Sequence, residues 1–267
     1  MKYRAFLKSP WFLGVTFTII LVGCYTVPET GRSSLNFISS GEELSLGISE
    51  FEKLKQQSPI STDPVLNRRL QTVGRRIAEA VGDALPGAEW EFVLFDDSDT
   101  INAFALPGGK VGVYTGIMEL ASTDEELAVI VGHEIAHVTA RHGSERMSHG
   151  MVAGLSQVLL GAAVADSDNR ELYMAAFGIG TAYAVMLPYS RNHELEADEI
   201  GIIYAAKAGY NPEASIEFWM KMNLVKGGNE PPEWQSTHPS DLNRIDRLEA
   251  MMPRVKPIYE KNKIRYQ

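Results

Sequence analysis

Two histidines and a glutamate stand at the spacing that hydrolytic zinc chemistry uses. His133-Glu134-Ile135-Ala136-His137 puts the imidazoles at i and i+4, about 40° apart on one face of a helix. They can converge on one zinc, with nitrogen–metal distances of about 2.0–2.1 Å. Glu134 is adjacent and out of line, placed to take a proton from an attacking water as general base. Such a site needs a third protein donor. His142 and Gly143 invite a second-histidine spacing, but Ala140 stands where a Gly is required and Gly143 where the His would be. His142 then reads as a helix-end residue that suits the dipole.

The third donor is sought in Ser190-Arg191-Asn192-His193-Glu194-Leu195-Glu196-Ala197-Asp198. Glu194 and Asp198 again share a helix face. Glu194 could offer a carboxylate oxygen to the metal, and Asp198 could accept the second N–H of a liganding histidine. His193 competes as a donor, about 100° away from Glu194. Glu196 and Glu199 read as solvated. His238, in Ser236-Thr237-His238-Pro239 before a helix over about Asp241–Met251, could stabilise an oxyanion or block the fourth metal position. Arg244 is a candidate for neutralising substrate or intermediate charge.

The surrounding elements must hold these residues. Ser40 can cap a helix over about 41–57. Asp63-Pro64 opens another to Val81, with Leu66, Leu70, Val73, Ile77 and Val81 on one face. Trp90–Phe95, Ile101–Leu106 and Lys110–Thr115 read as strands, the second and third joined by Pro107-Gly108-Gly109. Ser122 with Glu125, or Thr123 with Glu126, makes a capping box for the motif helix, which runs to about Arg141 or beyond. The helix carrying Glu194 starts near Pro188–Ser190 and stops at Gly209. The result is an α+β domain, mostly helical with a small sheet. Val111–Thr115 could accept an extended peptide by strand addition. Met151–Ala165 and Tyr173–Leu187 are apolar stretches, expected as a helical hairpin in the core. A lid or membrane-leaning surface, and a re-entrant hairpin, are the alternatives.

The chain has 267 residues, a net charge of −9 and one cysteine. An acidic chain without basic clusters argues against nucleic acid. A single Cys excludes an intrachain disulfide and cysteine-based metal clusters. Lys2, Arg4 and Lys8 precede an uncharged run from Trp11 to Val22. That pattern is a secretory signal, with an uncleaved anchor over residues 5–22 as the alternative. Leu21-Val22-Gly23-Cys24 resembles the bacterial lipobox. The resemblance implies a signal peptide over 1–23, lipid on Cys24, a tether over 24–38 and a catalytic domain over 39–267. Tyr25 after the Cys favours the outer membrane in enteric-type sorting.

Val131–His137, Ser190-Arg191-x-x-Glu194-x-x-Ala197-Asp198 and Ser236–Pro239 together resemble one zinc metallopeptidase family. It includes the CAAX prenyl protease, HtpX, periplasmic BepA-type and mitochondrial Oma-type proteases. Asn102–Lys110 is similar to the family's strand before the motif helix, and Val27–Arg32 to the opening segment of the Oma-like and periplasmic branch. The resemblance implies a zincin-like fold and one Zn2+ per chain on His133, His137 and Glu194. It further implies Glu134 as catalytic base, Asp198 behind the ligands, and His238 able to approach the zinc and gate access. It also implies unfolded or misfolded envelope proteins as substrates, with envelope assembly machinery as a further partner. A chaperone or assembly factor on the same fold is the competing reading.

Overall fold

The computed structural model describes residues 24–182, 187–225, 238 and 243–266. The expected leader, residues 1–23, lies outside them, as do Thr237, Pro239 and Asp241. Cys24–Thr26 (β1) and Ser33–Leu35 (β2) pair antiparallel, Cys24 opposite Leu35. This segment departs from the expected tether. Val27 is fully buried, and the Tyr25 hydroxyl donates to the Thr139 carbonyl at 2.8 Å. The turn between the strands needs Gly31, whose φ is +71°.

Ser40–Gln57 (α1) is capped by Ser39, one residue before the expected cap, in a capping box with Glu42. Pro64–Val81 (α2) has the expected bounds; Asp63 accepts from the amides of Val65 and Leu66. Its apolar face buries Leu70, Val73, Ile77 and Val81.

Glu91–Phe95 (β3), Ala103–Leu106 (β4) and Lys110–Tyr114 (β5) form a mixed sheet in the order β3-β5-β4. β3 and β5 run parallel, β4 and β5 antiparallel. This corrects the expected docking strand. β5 is paired on both sides, so it has no edge for a peptide. β4 pairs only with β5 among the described residues, and its other side is the open edge.

Thr115–Leu120 (α3) leads into Asp124–Thr139 (α4), the motif helix, whose cap is the Thr123–Glu126 box. α4 stops short of the expected Arg141. That residue takes a left-handed conformation, φ 56°, which costs a non-glycine residue roughly 1–2 kcal/mol. Arg141 offsets this by donating from Nε to Glu43 and from Nη2 to the Ile38 carbonyl, each at 2.7 Å. The reversal starts His142–Ala163 (α5), which pairs with Arg170–Thr181 (α6). The expectation of a core hairpin fails for the described part. Met151, Leu155, Val158, Leu159, Leu172 and Ile179 are all exposed. No helix among the described residues is long and apolar enough to cross a membrane.

Leu187–Lys207 (α7), Ala214–Leu224 (α8) and Arg244–Asn262 (α9) complete the core. α9 continues well past the expected end at Met251. It buries Leu248, Met252 and Val255 despite Pro253 and Pro257. The central contact is α4 against α7. A Cβ on Gly132 would lie 2.7 Å from the Gly201 carbonyl oxygen, and one on Gly201 would lie 2.8 Å from the His133 amide nitrogen. Only two glycines allow these backbones to touch. Gly201→Ala should therefore destabilise the protein by about 1–3 kcal/mol and weaken metal retention. Thermal melts with and without a chelator check both effects.

Candidate metal centre

Four side chains from three parts of the chain meet at the α4–α7 crossing. α4 supplies His133 and His137, α7 supplies Glu194, and the segment before α9 supplies His238. One donor atom from each lies within 4.8 Å of all the others. The His133 and His137 Nε2 atoms are 3.1 Å apart. Glu194 places Oε2 3.4 Å from His133 Nε2 and Oε1 3.4 Å from His137 Nε2. His238 Nδ1 lies 3.3 Å from His133 Nε2 and 3.0 Å from Glu194 Oε2. A tetrahedral zinc with bonds of about 2.0–2.1 Å would space its donor atoms by about 3.3–3.4 Å. The donor set therefore fits zinc in chemistry and in spacing. His133 and Glu194 are buried; His137 is the more open ligand. Glu134 is buried beside the cluster, with Oε1 3.4 Å from His238 Nε2.

Each motif histidine is gripped from behind. His133 Nδ1 meets Asp198 Oδ1 at 3.0 Å. Arg244 donates to both Asp198 oxygens and stacks 3.4 Å from the centre of the Trp219 ring. Burial works against a charged Asp198, but the Arg244 charge and the His133 hydrogen bond hold its pKa below the ordinary carboxylate value. This revises the expected use of Arg244. The residue is buried, and its Nε and Nη2 donate to Asp198, so its charge neutralises a protein carboxylate.

Behind His137 stands His142, with the two Nδ1 atoms 2.9 Å apart. His142 is fully buried at the start of α5, not an exposed helix end, and burial holds its pKa down to about 4. Its Nε2 meets Glu196 Oε2 at 2.9 Å. Glu196, expected in solvent, is buried as well. Burial opposes its charge, yet His142, Thr30 and Arg32 bring its pKa to about 2. His193 turns away from the metal donors and meets Glu145 at 2.9 Å, which removes it as a competing ligand. Glu199 stays near the surface, paired with Arg254 at 2.6 Å.

Sequence reasoning missed Gly132, Gly201, Glu145 and Arg32, and misread His142 and Glu196. Only the glycines left a signal: each sits inside a helix, at about 1 kcal/mol relative to Ala. The others are polar residues whose burial depends on distant partners.

The sequence profile of peptidase family M48 matches residues 64–252, well over half of the chain. This chain belongs to peptidase family M48. The expected zinc metallopeptidase family and its α+β, zincin-like fold are thus borne out, and the chain is a zinc metalloendopeptidase. It is 28% identical over 251 residues to the mitochondrial metalloendopeptidase OMA1 of Saccharomyces cerevisiae, covering 88% of this chain and 71% of that protein. It is 32% identical over 275 residues to the human mitochondrial metalloendopeptidase OMA1, covering 95% and 52%. It is 28% identical over 242 residues to the beta-barrel assembly-enhancing protease of Escherichia coli, covering 86% and 48%. The chain thus spans about half the length of the last two relatives.

Asp198→Asn should lower zinc affinity about 10–100-fold and also destabilise the metal-free protein, because Arg244 stays buried without its carboxylate. Competition against a chromogenic chelator measures the change.

Proposed function

We propose that this metallopeptidase cleaves unfolded or unassembled envelope proteins, with His133, His137 and Glu194 as its zinc ligands and Glu134 as its base. The observation that carries the reading is a set of four donor atoms within 4.8 Å of one another, with a buried carboxylate beside it. Zinc held by His133, His137 and Glu194 would supply Lewis-acid polarisation of the scissile carbonyl and a more acidic water. Glu134 takes the proton of the attacking water and returns it to the leaving amine. The open edge of β4 can pair with an extended substrate backbone, which reads little sequence and suits unfolded chains. A cleft of about 370 Å3 runs from His137 past Leu106 and Leu46 to Met147 and can take side chains beside that edge.

His238 occupies the fourth corner of the donor set, with its other nitrogen toward Glu134. In this arrangement it closes the position that water and substrate need, so we assign it as a cap in a resting state. Once displaced, its imidazole can donate to the oxyanion.

The proposed location is the bacterial envelope, facing the periplasm, with lipid on Cys24 and the outer membrane as the site. Support comes from the sequence before Cys24 and from the exposure of Cys24 itself. The Escherichia coli relative is named for enhancing β-barrel assembly, which favours envelope assembly machinery as a partner. It also keeps a second reading in play, an assembly factor with secondary proteolysis.

Glu134→Gln should abolish cleavage of denatured casein, a loss of at least about 100-fold, with zinc content unchanged. Residual hydrolysis by that variant would remove Glu134 as the base. A zinc-loaded wild type that cleaves nothing would favour the assembly reading. His238→Ala should raise basal casein cleavage; a fall would assign His238 to the oxyanion alone. Mass spectrometry of membrane-extracted protein, combined with metal analysis, tests the lipid on Cys24 and the zinc stoichiometry together.

A further inference from the structure

We propose that Arg32, Glu196 and His142 form a positioning relay for His137, which makes the N-terminal turn before β2 a working part of the metal centre. The inference rests on the ligand set proposed above. When His137 binds metal through Nε2, its Nδ1 carries the proton and needs an acceptor. His142 Nδ1 is 2.9 Å away. To accept there, His142 must carry its own proton on Nε2, and that nitrogen is 2.9 Å from Glu196 Oε2. Arg32 Nε donates to the same oxygen at 2.7 Å, and the Thr30 hydroxyl donates to Oε1. Every donor in the chain thus has one acceptor, and the direction of each hydrogen bond is fixed.

The rest of Arg32 grips a second point. Its two terminal nitrogens donate to the two oxygens of Glu145, each at 2.8 Å. Glu145 also meets His193, the neighbour of Glu194. One guanidinium therefore steadies the tautomer of His137 and the stretch of α7 that carries Glu194. Glu29 adds an ion pair with Lys207 at 2.7 Å, which docks the same turn on α7.

His142, His193, Glu145 and Glu196 also suggest a second metal site. The geometry opposes it. Arg32 lies against both carboxylates, and the two imidazoles stack at 4.1 Å between ring centres. A cation there would meet an arginine.

The relay mirrors the other side of the site. His133 is held by Asp198 and Arg244; His137 is held by His142, Glu196 and Arg32. Each ligand's back nitrogen ends on a carboxylate neutralised by an arginine.

The test uses the full chain in detergent, with zinc release into excess chelator as the main readout. Arg32→Met and His142→Phe should release zinc about 10–100-fold faster than the wild type. His142→Gln keeps an acceptor for His137 and should recover part of that loss. Arg254→Ala breaks a surface ion pair and should change nothing. Cobalt-substituted protein gives a second readout: the visible bands should shift in the relay variants and stay in place in Arg254→Ala. Wild-type release rates and wild-type cobalt bands in both relay variants would overturn the proposal. So would a loss of metal-free thermal stability with no change in the cobalt bands. If Arg32→Met does not fold, the two His142 variants decide alone. A wild type that takes up no zinc fails at an earlier point, the ligand set itself.

Discussion

Everything at the metal centre depends on two helices touching where they have no side chains. Gly132 and Gly201 face each other at the α4–α7 crossing, and each would clash with the opposite backbone if it gained a single carbon. The contact sits immediately before His133, so it sets the distance between the helix that offers two imidazoles and the helix that offers a carboxylate. Two mid-helix glycines cost roughly 1 kcal/mol each in helix propensity. Close approach of the backbones is what that cost secures, because donor atoms must meet to within a few tenths of an ångström.

Proximity alone would leave the imidazoles free to rotate. The structure removes that freedom with buried charge. Asp198, Glu145 and Glu196 are all largely out of solvent. A carboxylate in that position is costly unless it is paired and hydrogen-bonded. Arg244 serves Asp198, and Arg32 serves both glutamates. The same pairs that make burial tolerable also fix which ring nitrogen carries a proton. Stability and ligand geometry therefore share their residues, and a variant that breaks one pair disturbs both.

The N-terminal segment illustrates why some of this was illegible in the sequence. Residues 24–38 carry a proline, a glycine and several polar side chains, a composition that suits a tether. Arg32 looks like any surface arginine until Glu145 and Glu196, more than a hundred residues away, close on it. The same holds for β5. Its residues read correctly as a strand, but nothing local says that β3 and β4 will take both of its edges. The α5–α6 hairpin failed in the opposite direction: its apolar composition suggested burial, and its described side chains stand largely exposed.

The sequence by itself determined the chemistry. His133 and His137 one turn apart with Glu134 beside them, and Glu194 and Asp198 one turn apart, follow from helix periodicity, a local property. The cap at Asp63 is local too, whereas the choice of Thr123 over Ser122 came with the structure. Tertiary structure alone decided which polar residues stand behind the ligands, that Arg244 faces Asp198, that His193 turns away, and that His238 reaches the fourth corner. Those outcomes depend on contacts between distant segments, whose geometry arises only when the helices cross and the polar groups between them must find partners out of water.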